Sequence, residues 1–194
     1  MQFPVKFIKS KSLMITSKTF TELTTYGMNT QVGKRGNPHK WLIDFTTRLL
    51  NHKDARELTA FLDSLDGQYN TFTLPCSLPF LGSSTSFNVA ANAVAGSNTV
   101  DVKNLQLNDV EALVVGDYIN FDNHSKVYKI MQTVTSNGSG LATMTIYPRL
   151  QQNINVDDSI DEANFTVRMT KDTSSLSLVG GKLHLPIKFS VIEE

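Results

Sequence analysis

Lys40-Trp-Leu-Ile-Asp-Phe-Thr-Thr-Arg-Leu-Leu50, continued to Leu74, is the stretch in which the hydrophobic period changes twice with clear punctuation between the changes. Trp41, Ile43, Phe45, Thr47 and Leu49 fall on one side of a period of two, with Asp44, Thr46 and Arg48 opposite, the pattern of a half-buried strand. Asn51 then offers a side-chain oxygen to the first free amides of a helix, and Asp54 complements the helix dipole. Ala55, Leu58, Phe61, Leu62 and Leu65 recur at helical spacing, and Gly67 can take the left-handed conformation that closes a helix. A second strand follows from Tyr69 to Leu74, and Pro75 stops it. The order is strand, amphipathic helix, strand, with the helix laid over a sheet. Trp41, Phe45, Leu58, Phe61, Leu62 and Phe72 are its expected core.

On the N-terminal side, residues 3–32 are β-rich: Phe3, Val5 and Phe7 alternate, and a Thr-rich run follows that is poor material for a helix. Lys34-Arg-Gly-Asn-Pro-His39 is a loop marked by Gly and Asn-Pro. Beyond Pro75 the helical period disappears. Pro79, Gly82 and the serines from Ser83 to Ser86 resemble a linker, and short apolar runs then alternate with turns, as in an all-β barrel or sandwich. Asn137-Gly-Ser-Gly140 is the strongest hairpin signal. After Gly180-Gly181, Leu183, Leu185, Ile187, Phe189 and Val191 alternate in an apolar strand that must be buried, and its return would close the open edge of the N-terminal region. The chain is therefore expected to be mainly β with one main helix. An outer β-barrel domain, residues 1–84 plus 176–194, is interrupted by an inserted β-barrel domain, residues 85–175.

Composition narrows the function. The chain has 194 residues with 40% hydrophobic and 19% charged, which describes a globular protein. Lys plus Arg equals Asp plus Glu at 18 each, so the basic excess of a phosphate-driven nucleic-acid binder is missing. No segment approaches the roughly 20 apolar residues of a membrane span, and the N-terminus lacks the apolar run of a signal peptide, so cytoplasmic synthesis is expected. The single cysteine, Cys76, excludes an internal disulfide and a thiolate cluster; with no neighbouring His it reads as an inert thiol.

Candidate chemistry is thin. Asp157, Asp158, Asp161 and Glu162 lack the glycine and alternation of a calcium loop and read as a solvated turn. His39, His52, His124 and His184 are scattered without metal-ligand spacing. Asp117 opens a strand, and Asp122, His124 and Ser125 share one short turn in which adjacent side chains diverge, so they make no hydrolytic triad. The sequence predicts no enzyme, no cofactor and no metal.

Ala55-Arg-Glu-Leu-Thr-Ala-Phe-Leu-Asp-Ser-Leu-Asp-Gly-Gln-Tyr-Asn-Thr-Phe-Thr-Leu-Pro75 resembles the helix, the Leu-x-Gly turn and the following strand of distal tail proteins from long-tailed bacteriophages. Gly116-Asp-Tyr-Ile-Asn-Phe121, Lys126-Val-Tyr-Lys-Ile130, Ile146-Tyr-Pro-Arg-Leu150 and the final Pro186-Ile-Lys-Phe-Ser-Val-Ile-Glu193 are similar to the same proteins. The resemblance implies a virion protein of the tail tip or baseplate. It would be a closed ring of this chain, six copies to match the tail tube, joining the tube protein to the hub protein. Side-fibre or collar proteins are candidate further partners, and DNA only passes through the lumen. A tube-like barrel would form the ring, with a small oligonucleotide-binding-type barrel outside it. Lys34, Arg35, Asn37 and His39 are the expected contact residues between copies, because an exposed loop next to a β edge has backbone groups to offer. Near-zero net charge suits side-by-side packing.

Two other readings are a further minor tail or tail-completion protein, and a single-strand nucleic-acid-binding barrel with Tyr118, Tyr128 and Tyr147 interleaved with Lys126, Lys129 and Arg149.

Overall fold

The computed structural model describes residues 1–9, 12–19, 22–26, 29–33, 39–76, 78, 80–171 and 186–194. Two compact units divide the chain, Met1–Leu74 with Thr166–Glu194, and Pro75–Phe165.

In the first unit, β1 (Met14–Thr19), β4 (His39–Thr46), β13 (Lys188–Glu193), β12 (Asn164–Met169) and β5 (Phe72–Pro75) form a sheet in that order. β2 (Glu22–Tyr26) and β3 (Asn29–Gly33) make a separate two-stranded ribbon. β4 has the expected alternation: His39, Trp41, Ile43 and Phe45 are buried and the residues between them half-buried. α1 (His52–Ser64) begins at Asn51, whose Oδ1 accepts the Asp54 amide at 2.9 Å, and buries Ala55, Leu58 and Leu62.

Phe3 connects the helix to the sheet. Its ring lies 5.0 Å from Phe45, 5.4 Å from Phe61, 5.9 Å from Phe72 and 6.2 Å from Phe189, mostly edge to face, the geometry aromatic quadrupoles favour. Phe61 itself is half-buried, touching Phe3 and Phe72 with its ring while part of it stays in solvent.

Three expectations about this unit need correction. Leu49 is 61% exposed, because β4 ends at Thr46 and the chain turns toward the helix cap; Leu50 takes the inward place instead. Tyr69 is 75% exposed, because it lies in the turns that precede β5. The C-terminal strand does return to the N-terminal strands and covers the free side of β4, but in mid-sheet instead of at an outer edge. β13 sits mid-sheet, pairing Phe189 with Phe45 on β4 and Ile192 with Arg168 on β12, and the Phe189 and Phe45 rings stack at 5.3 Å.

In the second unit, β6 (Ser86–Val89), β7 (Thr99–Lys103), β8 (Tyr118–Phe121), β9 (Val127–Ile130), β10 (Ala142–Tyr147) and β11 (Ser159–Glu162) close into a barrel ordered β10-β7-β6-β11-β8-β9. That is one strand more than a five-stranded oligonucleotide-binding barrel. Phe87, Val89, Val100, Val102, Ile119, Tyr128, Ile130, Met144, Ile146 and Ile160 fill it. The segment expected to be a linker is bonded into this unit, with Ser83 and Ser84 donating their amides to the carbonyls of Glu111 and Ala112, so the boundary falls at Pro75.

The barrel is internally duplicated. Exchanging β6 with β9, β7 with β10 and β8 with β11 reproduces every strand pairing in the ring. Single bonds repeat as well. Gly116 donates to Ile130 and Asp157 to Val89, while Ile130 donates to Asp117 and Val89 to Asp158; the bridge Leu113–Val134 has its counterpart in Ala93–Ile154. Gly116 and Asp157 occupy equivalent positive-φ positions (102° and 74°), each followed by an Asp that opens a strand. Matching core positions hold Phe87 and Tyr128, Val89 and Ile130, Val100 and Met144, Leu113 and Ile154, and Ile119 and Ile160. Similar side chains at equivalent places satisfy one packing problem twice, which is how one strand pattern specifies both halves.

Candidate functional site

In the first unit the informative feature is the outer strand β1. It pairs on one side with β4, Met14 opposite Asp44 through Thr19 opposite His39, and no described strand lies on its other side. Met14 and Thr16 through Thr19 are exposed. The opposite outer strand, β5, is short and covered: Phe3 donates its amide to Thr73, Thr73 donates to Met1, and Pro75 closes its end. Natural sheets protect edges in this way because unpaired amides and carbonyls recruit further strands.

Of the expected contact residues, Lys34, Arg35 and Asn37 lie outside the described residues. His39 is not in a loop but opens β4 and is buried, its Nε2 3.0 Å from Ser17 Oγ and its ring edge-on to Trp41 at 4.5 Å. As placed here it offers no surface to a second chain, because the period-two pattern of β4 extends back to it and turns it inward. Trp41 is buried beside Glu193, whose Oε2 accepts the Trp41 amide at 3.2 Å. Phe45, Leu58, Leu62 and Phe72 are also buried.

In the second unit Asp117 is buried and organises the segment that enters the barrel. Oδ1 accepts the Leu81 amide at 3.0 Å, and Oδ2 accepts those of Gly82 at 2.9 Å and Val114 at 3.3 Å. The two carboxyl oxygens have the lone pairs to satisfy several amides, so the role is structural. Beside it a cavity of about 20 Å³, room for one water, is lined by Cys76, Phe80, Tyr118 and Glu162. Burial, the largest influence, pushes the Cys76 thiol up from its ordinary value, as do Glu162 and Asp117, against a hydrogen bond at Leu78. That is the opposite of an activated nucleophile.

The residues that could have carried other chemistry are dispersed. Of the nucleic-acid reading's residues, Tyr128 and Lys126 are buried and belong to no surface, whereas Tyr118, Lys129 and Tyr147 are half-buried neighbours across β8, β9 and β10 and Arg149 is exposed. Alternation alone does not say which side of a barrel wall is which, so the sequence left the three tyrosines open between outer face and barrel filling, and Tyr128 alone of them is fully inside. Asp157 pairs with Lys103, and Asp158 Oδ2 accepts from Asn155 and Asn123. No group of His, Cys, Asp and Glu fit to hold a metal occurs among the described residues, and none of their helices is long and apolar enough to cross a membrane. Ser125 contributes only its carbonyl, to Asn120, and His124 bonds Tyr128 instead of a serine.

What remains among the described residues is a set of packed β elements, with the open edge of β1, and a duplicated barrel. Residues 78–161, which contain all six barrel strands apart from the last residue of β11, match the family described as distal tail protein pb9, B domain. This part of the chain, less than half of its length, is similar to that domain. No curated protein matches the chain. The region that matches the B domain is thus the closed barrel together with the segment Asp117 holds. Its presence supports a structural role in a bacteriophage tail and points away from an enzyme.

Proposed function

We propose that the chain is a structural virion protein that forms a closed ring at the distal end of the phage tail. It joins the tail tube to the hub or baseplate, with the B domain presented for accessory proteins such as side fibres or collar proteins. The observation that carries this reading is the asymmetry of the two outer strands of the first unit: β1 is six residues long, mostly exposed and without a described neighbour on its far side, whereas β5 is short and covered. A heterologous contact between the β1 edge of one copy and another surface of the next closes a ring when the rotation allows it. Six copies would match a six-fold tube, and Lys34, Arg35 and Asn37 belong to the same contact in this proposal. Isolated copies are expected to stay monomeric in dilute solution, because lost translational freedom opposes weak individual contacts.

The test is to tag the chain and locate it on intact particles by electron microscopy. Density at the tail tip in ring geometry supports the proposal. Tag found on the capsid, or on the fibres alone, refutes it; tag elsewhere on the tail favours a different minor tail or tail-completion protein.

A further inference from the structure

The duplication of the barrel supplies an internal control for every side chain in it. At the position equivalent to Tyr128 the other half carries Phe87, equally buried in the same core. The hydroxyl at 128 is therefore not demanded by barrel packing. It meets His124: Nε2 lies 2.8 Å from Tyr128 Oη, and the same oxygen accepts the backbone N–H of Gln151 at 3.0 Å. His124 stacks on Phe121 at 5.8 Å and is edge-on to Tyr128 at 5.5 Å.

The tautomer follows from the surrounding bonds. Asn123 donates through Nδ2 to Asn153 O at 3.0 Å and to Asp158 Oδ2 at 3.1 Å, so its Oδ1 is the acceptor facing His124 Nδ1. Nδ1 therefore carries the hydrogen, and Nε2 accepts from the Tyr128 hydroxyl. A neutral imidazole fits these bonds. A second proton, on Nε2, converts an acceptor into a donor aimed at a hydroxyl that donates to it; the hydroxyl hydrogen must then turn away, and a charge enters a half-buried site.

We propose that His124, Tyr128 and the Gln151 amide form a proton-sensitive latch, closed with neutral histidine and opened by protonation of Nε2, which holds the Asp122–Ser125 turn to residues 150–153 at one end of the barrel. The charged groups around the ring compete: Asp158 and Asp122 favour the added proton and Lys126 opposes it. Burial is the strongest influence and holds the imidazole below its ordinary 6.5. Stability contributed by the closed latch is complete above about pH 6.5, the unfolded value, and is lost as pH falls from there toward the depressed folded value. The latch stands on the barrel alone, independent of where in a tail the chain sits.

Amide hydrogen exchange of the full chain, corrected for intrinsic rates, tests it. Protection of the Gln151 amide is expected to fall at least tenfold between pH 7.5 and pH 5, while amides of the other half, such as Val89, hold theirs. His124→Gln should remove the pH dependence. Tyr128→Phe, which copies the residue at position 87, should fold and leave Gln151 weakly protected at both pH values. NMR titration of the His124 ring in the unmodified chain gives an answer that needs no variant: a midpoint below 6.5, moving up in Tyr128→Phe, is expected. Equal Gln151 protection at both pH values, a ring titrating at or above 6.5, or an undiminished pH effect in folded His124→Gln overturns the latch.

Discussion

Asp117 Oδ2 accepts the amide of Gly82 at 2.9 Å, and a Cβ built on Gly82 would lie 2.8 Å from the carbonyl oxygen of Ala112 and 2.9 Å from the Cα of Leu113. The carboxylate and the missing side chain therefore act on the same contact, one drawing the backbone in and the other leaving room for it. Asp117→Ala leaves three amides without their acceptor and should cost the barrel unit about 2–4 kcal/mol. Gly82→Ala forces backbone apart and should cost about 1–3 kcal/mol. Because both act on one contact, the double variant should lose less than the sum of the singles, and a double-variant cycle by urea unfolding checks this. Strict additivity would separate the two roles.

In the first unit Leu58 is fully buried in the helix face, whereas Phe61 is half-buried and works mainly through its edges against Phe3 and Phe72. Leu58→Ala should therefore cost about 2–5 kcal/mol, and Phe61→Ala less, despite removing more atoms. Thermal unfolding of the two variants decides the order. A larger loss for Phe61→Ala would mean that its exposed part is covered in solution.

How much of this was legible in the sequence depended on the range of the interaction. Asn51 and Ala55 through Leu65 declare a helix because capping and the 3.6 period are local, and Trp41 to Phe45 declare a strand for the same reason. Leu49 misled because the period continues past the residue where the strand stops. The segment from Pro79 to Ser86 looked like a linker, being rich in Gly and Ser, but the groups that hold its residues 81–84 lie on Asp117, Glu111 and Ala112, far along the chain. The mid-sheet place of β13 and the pairing of Phe189 with Phe45 are long-range in the same sense. The duplication was hidden because the halves share burial pattern and turn conformation, Gly116 against Asp157, instead of residue identity.

Cys76 provides a chemical check on the cavity beside Asp117. A thiol pushed up by burial is protonated in the folded protein beyond its ordinary 9.0, so the contribution it makes to stability is complete below about pH 9 and lost as pH rises further. Reaction with a neutral disulfide reagent at pH 8 should run at least tenfold slower in the native protein than in denaturant. Comparable rates in both would mean that the segment around Cys76 opens readily.

The last prediction concerns the edge that assembly would use. Thr16 and Thr19 lie exposed on β1, whose far side meets no described strand. Lysine on an edge strand discourages pairing with another chain, because its charge must be desolvated when a neighbouring strand docks. Thr16→Lys with Thr19→Lys should leave monomer melting within about 0.5 kcal/mol of the unmodified chain, since both sites are on the surface. The same variant should reduce the yield of complete tails, read by complementation of a phage lacking the gene and by counting intact particles. Lys34→Glu with Arg35→Glu should act in the same direction if these residues share the contact. Full infectious yield from the β1 variant, with the protein present in the particles, would show that copies meet through some other surface, and the ring would then need a contact that leaves this edge open.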